Sequence, residues 1–246
     1  MLNKINTLLV STSTTVIKEF NTTSYVFSSP ATGSTITLPA GITEGSLGLI
    51  LIGETKTSAG GNAVTLATPT GFTLISKTER VNSGTGNGGT QGLFYKYMTA
   101  SDSSTIISTI FGDSAGAAAE VVFIEVILNK NVATRNFGSL NAGAGSAGGN
   151  TVTLTDVPSV IPNNNPFFLL TCRTDSGGTP GFTFSGGMEA YYTSTLVINT
   201  TTNRIVCTLW KYDNVKIQDL PDTADVVFES TASSFGSTGA YMIWLK

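Results

Sequence analysis

Leu47-Gly-Leu-Ile-Leu-Ile52 is the stretch of sequence that decides the fold of this chain. Apolar residues occupy both its odd and its even positions, which is typical of a β-strand that is covered on both faces. The run shows no helical periodicity. We therefore predict a central, fully covered strand here. Val121–Ile127 has the same character except for Glu125, which interrupts it.

The same kind of run returns later in the chain, and its surroundings return with it. Leu49–Ile52 corresponds to Phe167–Leu170. Five further segments recur in the same order: Ser34–Leu38 as Asn150–Leu154, Pro69–Leu74 as Pro180–Phe184, Tyr95–Tyr97 as Trp210–Tyr212, Thr109–Phe111 as Val226–Phe228, and Val121–Ile124 as Tyr241–Trp244. The shift is 110 residues between Phe72 and Phe182 and lies between 110 and 120 elsewhere. Two copies of one unit are the simplest interpretation.

Turn-rich segments divide each copy into short strands. In the first copy we predict strands near residues 34–38, 46–54, 62–67, 71–80, 91–98, 104–111 and 119–128. In the second copy we predict them near 150–155, 166–173, 181–185, 189–198, 204–212, 224–230 and 239–245. Ile36 and Leu38 alternate with Thr35 and Thr37, which is the period of a half-buried strand. The pattern predicts an all-β fold of two tandem antiparallel β-sandwich or jelly-roll-like domains, related by internal duplication.

The repeat sets the predicted domain boundaries. Residues 24–129 form the first β-sandwich and residues 150–246 the second, and residues 130–149, rich in Gly, Ala and Ser, form a flexible linker. Residues 1–23 precede the repeat, and two interpretations stay open for them. They form either an edge strand that closes the first sandwich or an arm that docks on a neighbouring subunit, because an exposed edge strand invites pairing with another chain.

Composition favours packed β-domains with a neutral surface. Of the 246 residues, 40% are apolar and 12% are charged, against about 25% charged in typical soluble domains. Thirteen basic and sixteen acidic residues give a net charge of −3, and no basic stripe occurs, so we expect no nucleic-acid partner. Met1–Val10 lacks the apolar core of a signal peptide, and no run is long enough to span a bilayer. We expect synthesis in a cytoplasm and no membrane partner.

The inventory of reactive side chains is short. The chain has no histidine, which removes the usual base of Ser–His and Cys–His systems and the commonest metal ligand. No paired carboxylates stand in a recognisable setting, although such pairs can lie far apart in sequence. We therefore predict no enzymatic activity, no catalytic residues and no cofactor.

Cys172 and Cys207 are the two cysteines, and both lie on predicted strands of the second copy. Each continues the apolar alternation of its strand, so we favour small buried apolar residues. A cross-sandwich disulfide between them is the alternative that stays open. We expect no zinc site, because two thiols without histidine cannot complete four ligands.

Two groups of residues are weak ligand candidates. Asp213, Asp219, Asp222 and Asp225 could bind calcium, which prefers loop carboxylates, but the spacing matches no EF-hand and the central glycine is missing. Solvated loop carboxylates are the preferred interpretation. Tyr191–Tyr192 could stack on a sugar, and we favour the simpler interpretation that one ring faces a core while its neighbour covers a strand.

Three stretches of the first copy carry a resemblance: Gly45-Ser-Leu-Gly-Leu-Ile-Leu-Ile52, Thr68-Pro-Thr-Gly-Phe-Thr-Leu74 and Leu93-Phe-Tyr-Lys-Tyr-Met-Thr-Ala-Ser101. Their succession resembles a group of β-sandwich proteins encoded by tailed bacteriophages and some bacteria. The second copy departs from that pattern, because its turn shortens to Pro180-Gly-Phe182 and its last strand lacks an Ala-rich approach. For phage members the resemblance implies a virion component: a capsid decoration protein, a head fibre or a tail-associated module.

The expected function follows from these observations together. We expect a non-enzymatic virion structural protein, most simply a capsid decoration or head-associated protein. The alternative is a tail-associated or receptor-binding module that recognises a host-surface glycan. A low-charge surface with Thr- and Gly-rich loops predicts a homo-oligomer, with a trimer favoured. Its partners would be other virion proteins such as the major capsid protein, and residues 1–20 would contribute to attachment or to contact between subunits.

Overall fold

The computed structural model describes residues 17–27, 31–56, 65–80, 88–108, 111, 118–128, 137–141, 151–154, 167–175, 181–185, 192–200, 205–212, 224–229 and 235–245. These residues are mostly antiparallel β-strand and contain no α-helix. One 3-10 turn spans Ala100–Asp102. The predicted all-β class is therefore confirmed. In this part of the chain no helix is long and apolar enough to cross a membrane.

The first part of the chain builds one large sheet and one small one. Its strands are β1 (Ile17–Phe27), β2 (Ile36–Thr37), β3 (Leu47–Lys56), β4 (Thr73–Arg80), β5 (Gly88–Tyr97), β6 (Ile106–Ile107) and β7 (Ala118–Leu128). The large sheet has the order β1-β7-β3-β5-β4. The small sheet pairs β2 with β6, and an isolated bridge joins Leu66 to Phe111. The Leu47–Ile52 run lies in the middle strand of the large sheet, as predicted.

The later part of the chain builds a second five-stranded sheet and a three-stranded one. Its strands are β8 (Phe137–Asn141), β9 (Thr151–Leu154), β10 (Phe167–Asp175), β11 (Gly181–Ser185), β12 (Tyr192–Thr200), β13 (Ile205–Tyr212), β14 (Ala224–Glu229) and β15 (Phe235–Leu245). The five-stranded sheet has the order β12-β13-β10-β15-β8, and the three-stranded sheet has the order β11-β14-β9.

The two five-stranded sheets share a register between their middle strand and one neighbour. In the first sheet Leu49 on β3 lies opposite Ile124 on β7. In the second sheet Phe167 on β10 lies opposite Trp244 on β15. These are the residues that the repeat in the sequence equates. The pairing of β10 with β15 therefore reproduces that of β3 with β7, residue for residue.

Strand β3 is covered on both faces. Ile50 and Ile52 belong to a buried cluster that includes residues of the small sheet. The cluster contains Ile36, Leu38, Ile42, Ile50, Ile52, Leu66, Phe72, Phe94, Met98, Ile107, Phe111, Ala119, Val121 and Phe123. Leu49 and Leu51 lie on the opposite face and are also 0% exposed. Each such side chain contributes about 1.5–3 kcal/mol through burial, so β3 anchors the sheet from both sides.

Strands of the second large sheet lie close to the first large sheet. β10 and β13 lie close to β3, and β15 lies close to β4 and β5. Since the small sheet covers the face that carries Ile50, the face that carries Leu49 is the one left for the second large sheet. The apolar side chains on both faces of β3 are thus shielded from solvent.

Gly48 interrupts the apolar run for a reason of space. A Cβ atom at this position would collide with the side chain of Met98 and would lie 3.2 Å from the ring of Phe123. Both neighbours belong to the buried cluster. The glycine therefore lets a methionine and a phenylalanine close over the middle strand.

One strand lies inside the predicted linker, and another crosses a predicted domain boundary. Strand β8, Phe137–Asn141, lies inside the segment expected to be linker and pairs with β15. Its short Phe-Gly-Ser-Leu-Asn sequence carries too little alternation to be recognised without that partner. Strand β1 forms an edge of the first large sheet and crosses the predicted boundary at residue 23. Residues 1–16, 130–136 and 142–149 lie outside the described residues, so the arm and the rest of the linker stay predictions.

Candidate contact surface

The small sheet has one buried side and one exposed side. On β2 and its flanks, Ile36 and Leu38 are buried and Thr35 and Thr37 are exposed, which confirms the predicted alternation. On β6 the neighbouring residue Ile106 is 64% exposed, the largest exposure among the large apolar side chains that the structure describes. A pair of strands so short is held by what lies beneath it. Its inner side belongs to the cluster, and its outer side is free to meet solvent or a partner.

Turns around the small sheet extend this surface with hydroxyl and glycine residues. We call the exposed residues of 31–46, 65–73 and 99–108 the hydroxyl-rich face. Its polar members are mainly Thr32, Thr35, Thr37, Thr43, Thr68, Thr70, Thr99, Ser101, Ser104 and Ser108. Glu44 is the one exposed charged residue within those three ranges. The face therefore offers many neutral hydrogen-bonding groups and almost no charge.

Backbone and hydroxyl hydrogen bonds tie the turns to the small sheet. The amide of Leu38 donates to the carbonyl oxygen of Thr105 at 2.9 Å. The amide of Gly41 donates to Oγ of Ser103 at 2.8 Å, a contact at the exposed surface. Together with the bond from the amide of Thr70 to the carbonyl oxygen of Ser108, these bonds join the three segments of the hydroxyl-rich face, which are far apart in sequence.

Glu125 is the first of two buried carboxylates that hold this face. It lies on β7, is 3% exposed, and accepts three hydrogen bonds. Its Oε1 accepts from the amide of Thr43 at 2.6 Å and from Oγ of Ser46 at 2.9 Å. Its Oε2 accepts from Nδ2 of Asn21 on β1 at 3.1 Å. The side chain thus joins the edge strand, the large sheet and the turn before β3.

Asp102 is the second carboxylate, at the end of the 3-10 turn. Its Oδ1 accepts from Nζ of Lys96 at 2.5 Å. Its Oδ2 accepts from the backbone amide and the hydroxyl of Thr99 at 2.8 and 2.9 Å. Burial by itself raises the pKa of Asp102, but the hydrogen bonds from Lys96 and Thr99 and the charge of Lys96 outweigh it and hold the pKa below its ordinary value. Asp102 therefore stays ionised and fixes the turn.

Tyr25 links the edge strand to the small sheet. Its hydroxyl donates to the carbonyl oxygen of Thr37 on β2, and burial raises the pKa of this phenol. Two residues on, the rings of Phe27 and Phe111 meet edge to face with centroids 5.3 Å apart. Strand β1 thus supports the hydroxyl-rich face from below as well as closing the edge of the large sheet.

The sequence contained a signal for both carboxylates, although neither was predicted as part of a site. Glu125 was the single interruption of the apolar run Val121–Ile127. Thr99-Ala-Ser-Asp102 has the spacing of a capping box, and the structure contains that box. A charged residue inside an apolar strand requires partners, because an unpaired buried charge is costly. The identity of those partners could not be read from the sequence.

The ligand candidates from the sequence are distributed as follows. Asp225 lies on β14, opposite Thr153 on one side and Ser185 on the other. Asp213, Asp219 and Asp222 lie outside the described residues, so calcium binding stays untested. Among the residues that the structure does describe, no group of three or more His, Cys, Asp or Glu side chains could hold a metal ion.

The aromatic and cysteine candidates fall on the second large sheet. Tyr192 begins β12 and lies opposite Tyr212 at the end of β13, while Tyr191 is outside the described residues. Cys172 on β10 and Cys207 on β13 are direct cross-strand partners. The structure therefore brings the two cysteines together within one sheet and places two tyrosines in register at its end.

Comparisons with protein-family models, with curated proteins and with solved structures gave no match.

Proposed function

We propose that this chain is a non-enzymatic structural protein of a bacteriophage virion, most simply a capsid decoration or head-associated protein. The observation that carries the proposal is the hydroxyl-rich face: a nearly uncharged surface, rich in Thr and Ser, built on a small sheet and held by two buried carboxylates. Such a face is suited to lasting contact with protein neighbours. The resemblance to phage β-sandwich proteins points in the same direction.

The proposal includes an architecture of two tandem β-sandwich or jelly-roll-like units related by duplication. The strands that the sequence repeat equates hold equivalent positions in the two five-stranded sheets. β3 and β10 are the middle strands, β7 and β15 are their neighbours on one side, and β5 and β13 are their neighbours on the other side. The shared register at Leu49–Ile124 and Phe167–Trp244 supports this reading. Each large sheet has a smaller companion, β2-β6 or β11-β14-β9.

A nearly neutral contact face has a physical advantage in a crowded particle. Copies of one protein on a capsid lie close together, and a strong charge of one sign would make them repel one another. Hydroxyl groups form hydrogen bonds without that penalty, and an exposed apolar residue such as Ile106 can be buried at the centre of the contact. We propose the major capsid protein as the partner of this face, and a homo-oligomer, with a trimer favoured, as the assembled form.

A mass-spectrometric census of purified phage particles tests the proposal. Hundreds of copies per particle are expected for a decoration protein, and a few copies would indicate a tail component instead. Absence from particles would contradict the proposal altogether. Ile106→Lys should then lower the number of copies bound without unfolding the chain. Val26→Lys is the matched control, because Val26 is 50% exposed on the edge strand and lies outside the hydroxyl-rich face.

A tail-associated module that binds a host-surface glycan is the second candidate. Tyr192 and Tyr212 favour it, because aromatic residues in register at the end of a sheet can offer a stacking platform for a sugar ring. A glycan array with the full chain would identify a ligand. Tyr192→Ala and Tyr212→Ala should each abolish that binding if the pair forms the platform, and retained binding would reject this candidate site.

A further inference from the structure

Cys172 and Cys207 occupy directly opposed positions on neighbouring antiparallel strands. In the register of β10 and β13, Cys172 pairs with Cys207 and Thr171 pairs with Thr208. Directly opposed residues share one face of a sheet. We propose that the two cysteines form a reversible intramolecular disulfide that links β10 to β13 within the second large sheet.

Sheet geometry permits this bond. Opposed residues of an antiparallel pair have Cα atoms about 4.5 or 5.5 Å apart, depending on the hydrogen-bond pattern. Disulfides join residues whose Cα atoms are about 4.4–6.8 Å apart. Both kinds of opposed position therefore fall inside the permitted range of Cα separations, so closing the bond requires only a slight approach of the two strands.

The same geometry makes the bond easy to reduce. Cβ atoms of opposed residues lie about 4.5–5.5 Å apart, and a disulfide prefers about 3.5–4.5 Å. The two strands have to approach slightly to close the bond, which leaves it strained. Strained disulfides have higher reduction potentials than ordinary structural ones. We therefore expect a bond that opens and closes with the redox conditions.

The neighbouring positions add to the case. Cys172 is flanked on its other side by Gly239 of β15, a residue without a side chain. The chain contains no further cysteine, so no competing intramolecular disulfide can form. The pair is a feature of the second copy only, since the first copy has no cysteine.

The reaction requires an oxidant of the small-molecule disulfide class, and glutathione disulfide serves as the example. The thiolate of one cysteine attacks a sulfur of glutathione disulfide, forms a mixed disulfide and releases one glutathione thiolate. The thiolate of the other cysteine then attacks the protein sulfur of that mixed disulfide and releases the second glutathione. Two protein thiols lose two protons and two electrons, and glutathione disulfide becomes two molecules of reduced glutathione.

The redox environment decides when the bond closes. A host cytoplasm keeps thiols reduced, while the surface of a released particle meets oxidising conditions, in which disulfides persist. The disulfide would then form after assembly and would stabilise the mature particle. This timing rests on the proposed virion function, whereas the bond itself depends only on the register of β10 and β13.

The full-length chain, purified in reductant and free of particles, is the material for the test. It is equilibrated in glutathione buffers of rising oxidised fraction, both as the native protein and during refolding from denaturant. Maleimide mass tags count the free thiols, and non-reducing peptide maps locate the link. We expect both thiols to disappear together, a 172–207 link within the monomer, and a rise in Tm on the order of 5 °C that reductant reverses.

A displaced cysteine provides the matched control. Cys207→Ser combined with Thr208→Cys keeps two cysteines but moves one to the opposite face of β13, so no internal link should form. The proposal is overturned if both thiols stay free after oxidative refolding, if glutathione stays attached to a single cysteine, or if only covalent dimers form. An equally efficient link in the displaced variant would overturn it as well. None of these results depends on whether the protein is found in particles.

Discussion

The ammonium nitrogen of Lys96 lies 2.5 Å from Oδ1 of Asp102, and the carboxylate side chain is only 7% exposed. The same carboxylate accepts two hydrogen bonds from Thr99. The bonds of Asp102 to Lys96 and to Thr99 therefore all stabilise the short turn that follows β5. This pair therefore connects the large sheet to the hydroxyl-rich face. Removing the Lys96–Asp102 ion pair should therefore lower the stability of the first half of the chain.

Asp102→Ala should lower the free energy of unfolding by about 2 kcal/mol, because it removes a charge-assisted bond and a capping box and leaves Lys96 without this anion. Urea unfolding of the full chain measures the change. Glu44→Ala is the control, since Glu44 is exposed in a neighbouring turn and its loss should change stability by less than about 0.5 kcal/mol. Equal effects of the two substitutions would contradict the role given to Asp102.

Acid should lower the free energy of unfolding through protonation of Asp102. The pKa of Asp102 is lower in the folded chain than in the unfolded chain, so its stabilisation is complete above the unfolded pKa, about 4, and is lost as the pH falls through the folded pKa. Asp102→Asn should reduce the loss of stability below about pH 4. Urea midpoints measured from pH 6 to pH 2 for both proteins test this. Parallel curves would show that Asp102 carries no such linkage.

Glu125→Gln should destabilise the chain by about 1–3 kcal/mol, because an amide has one acceptor oxygen for donors on both sides. If the amide oxygen of the substituted side chain accepts from Thr43 and Ser46, the NH2 group of that side chain faces Nδ2 of Asn21, so that two hydrogen-bond donors face each other. Adding Asn21→Asp supplies an acceptor and should recover part of the loss. A double-mutant cycle measures the coupling, and additive effects of the two substitutions would refute this network.

Gln91→Met should raise the free energy of unfolding by about 1 kcal/mol. Gln91 lies on β5 opposite Gly53, is 0% exposed, and its amide has no hydrogen-bond partner among the described residues. Replacing the amide with a thioether of similar length removes the cost of burying an unsatisfied polar group. Gln91→Glu should act in the opposite direction, because it buries a charge. A loss of stability in Gln91→Met would mean that the amide is bonded in solution.

The domain boundary can be tested with two fragments. Residues 130–246 include β8, the partner of β15, and residues 150–246 do not. We expect residues 130–246 to unfold cooperatively as a β-protein, at a higher urea concentration than residues 150–246. Both fragments lose the contacts between β10, β13 or β15 and the first large sheet. A molten fragment 130–246 beside a folded full chain would show that the two copies share one core, and the two-domain prediction would then be wrong.

Patterns of short range in the sequence were sufficient for most strands. The apolar run Leu47–Ile52 became the middle strand of a sheet, and the alternation around Ile36 became a half-buried strand. Both features depend on side chains that follow one another along the chain, where period two is visible at once. Strand β8 was missed for the same reason: its five residues carry almost no period, and β15 supplies the hydrogen bonds that make it a strand.

Periodicity along the chain was enough to establish the all-β class, the position of the apolar middle strand, and the presence of one charged residue that would need partners. The choice of those partners came from the order in which the strands associate. Glu125 forms hydrogen bonds with Asn21, Thr43 and Ser46, which are 104, 82 and 79 residues away in the sequence. Cys172 lies opposite Cys207 because β10 is paired with β13. Contacts of this range leave no local pattern, since they depend on the closing of long loops and on which apolar faces pack together.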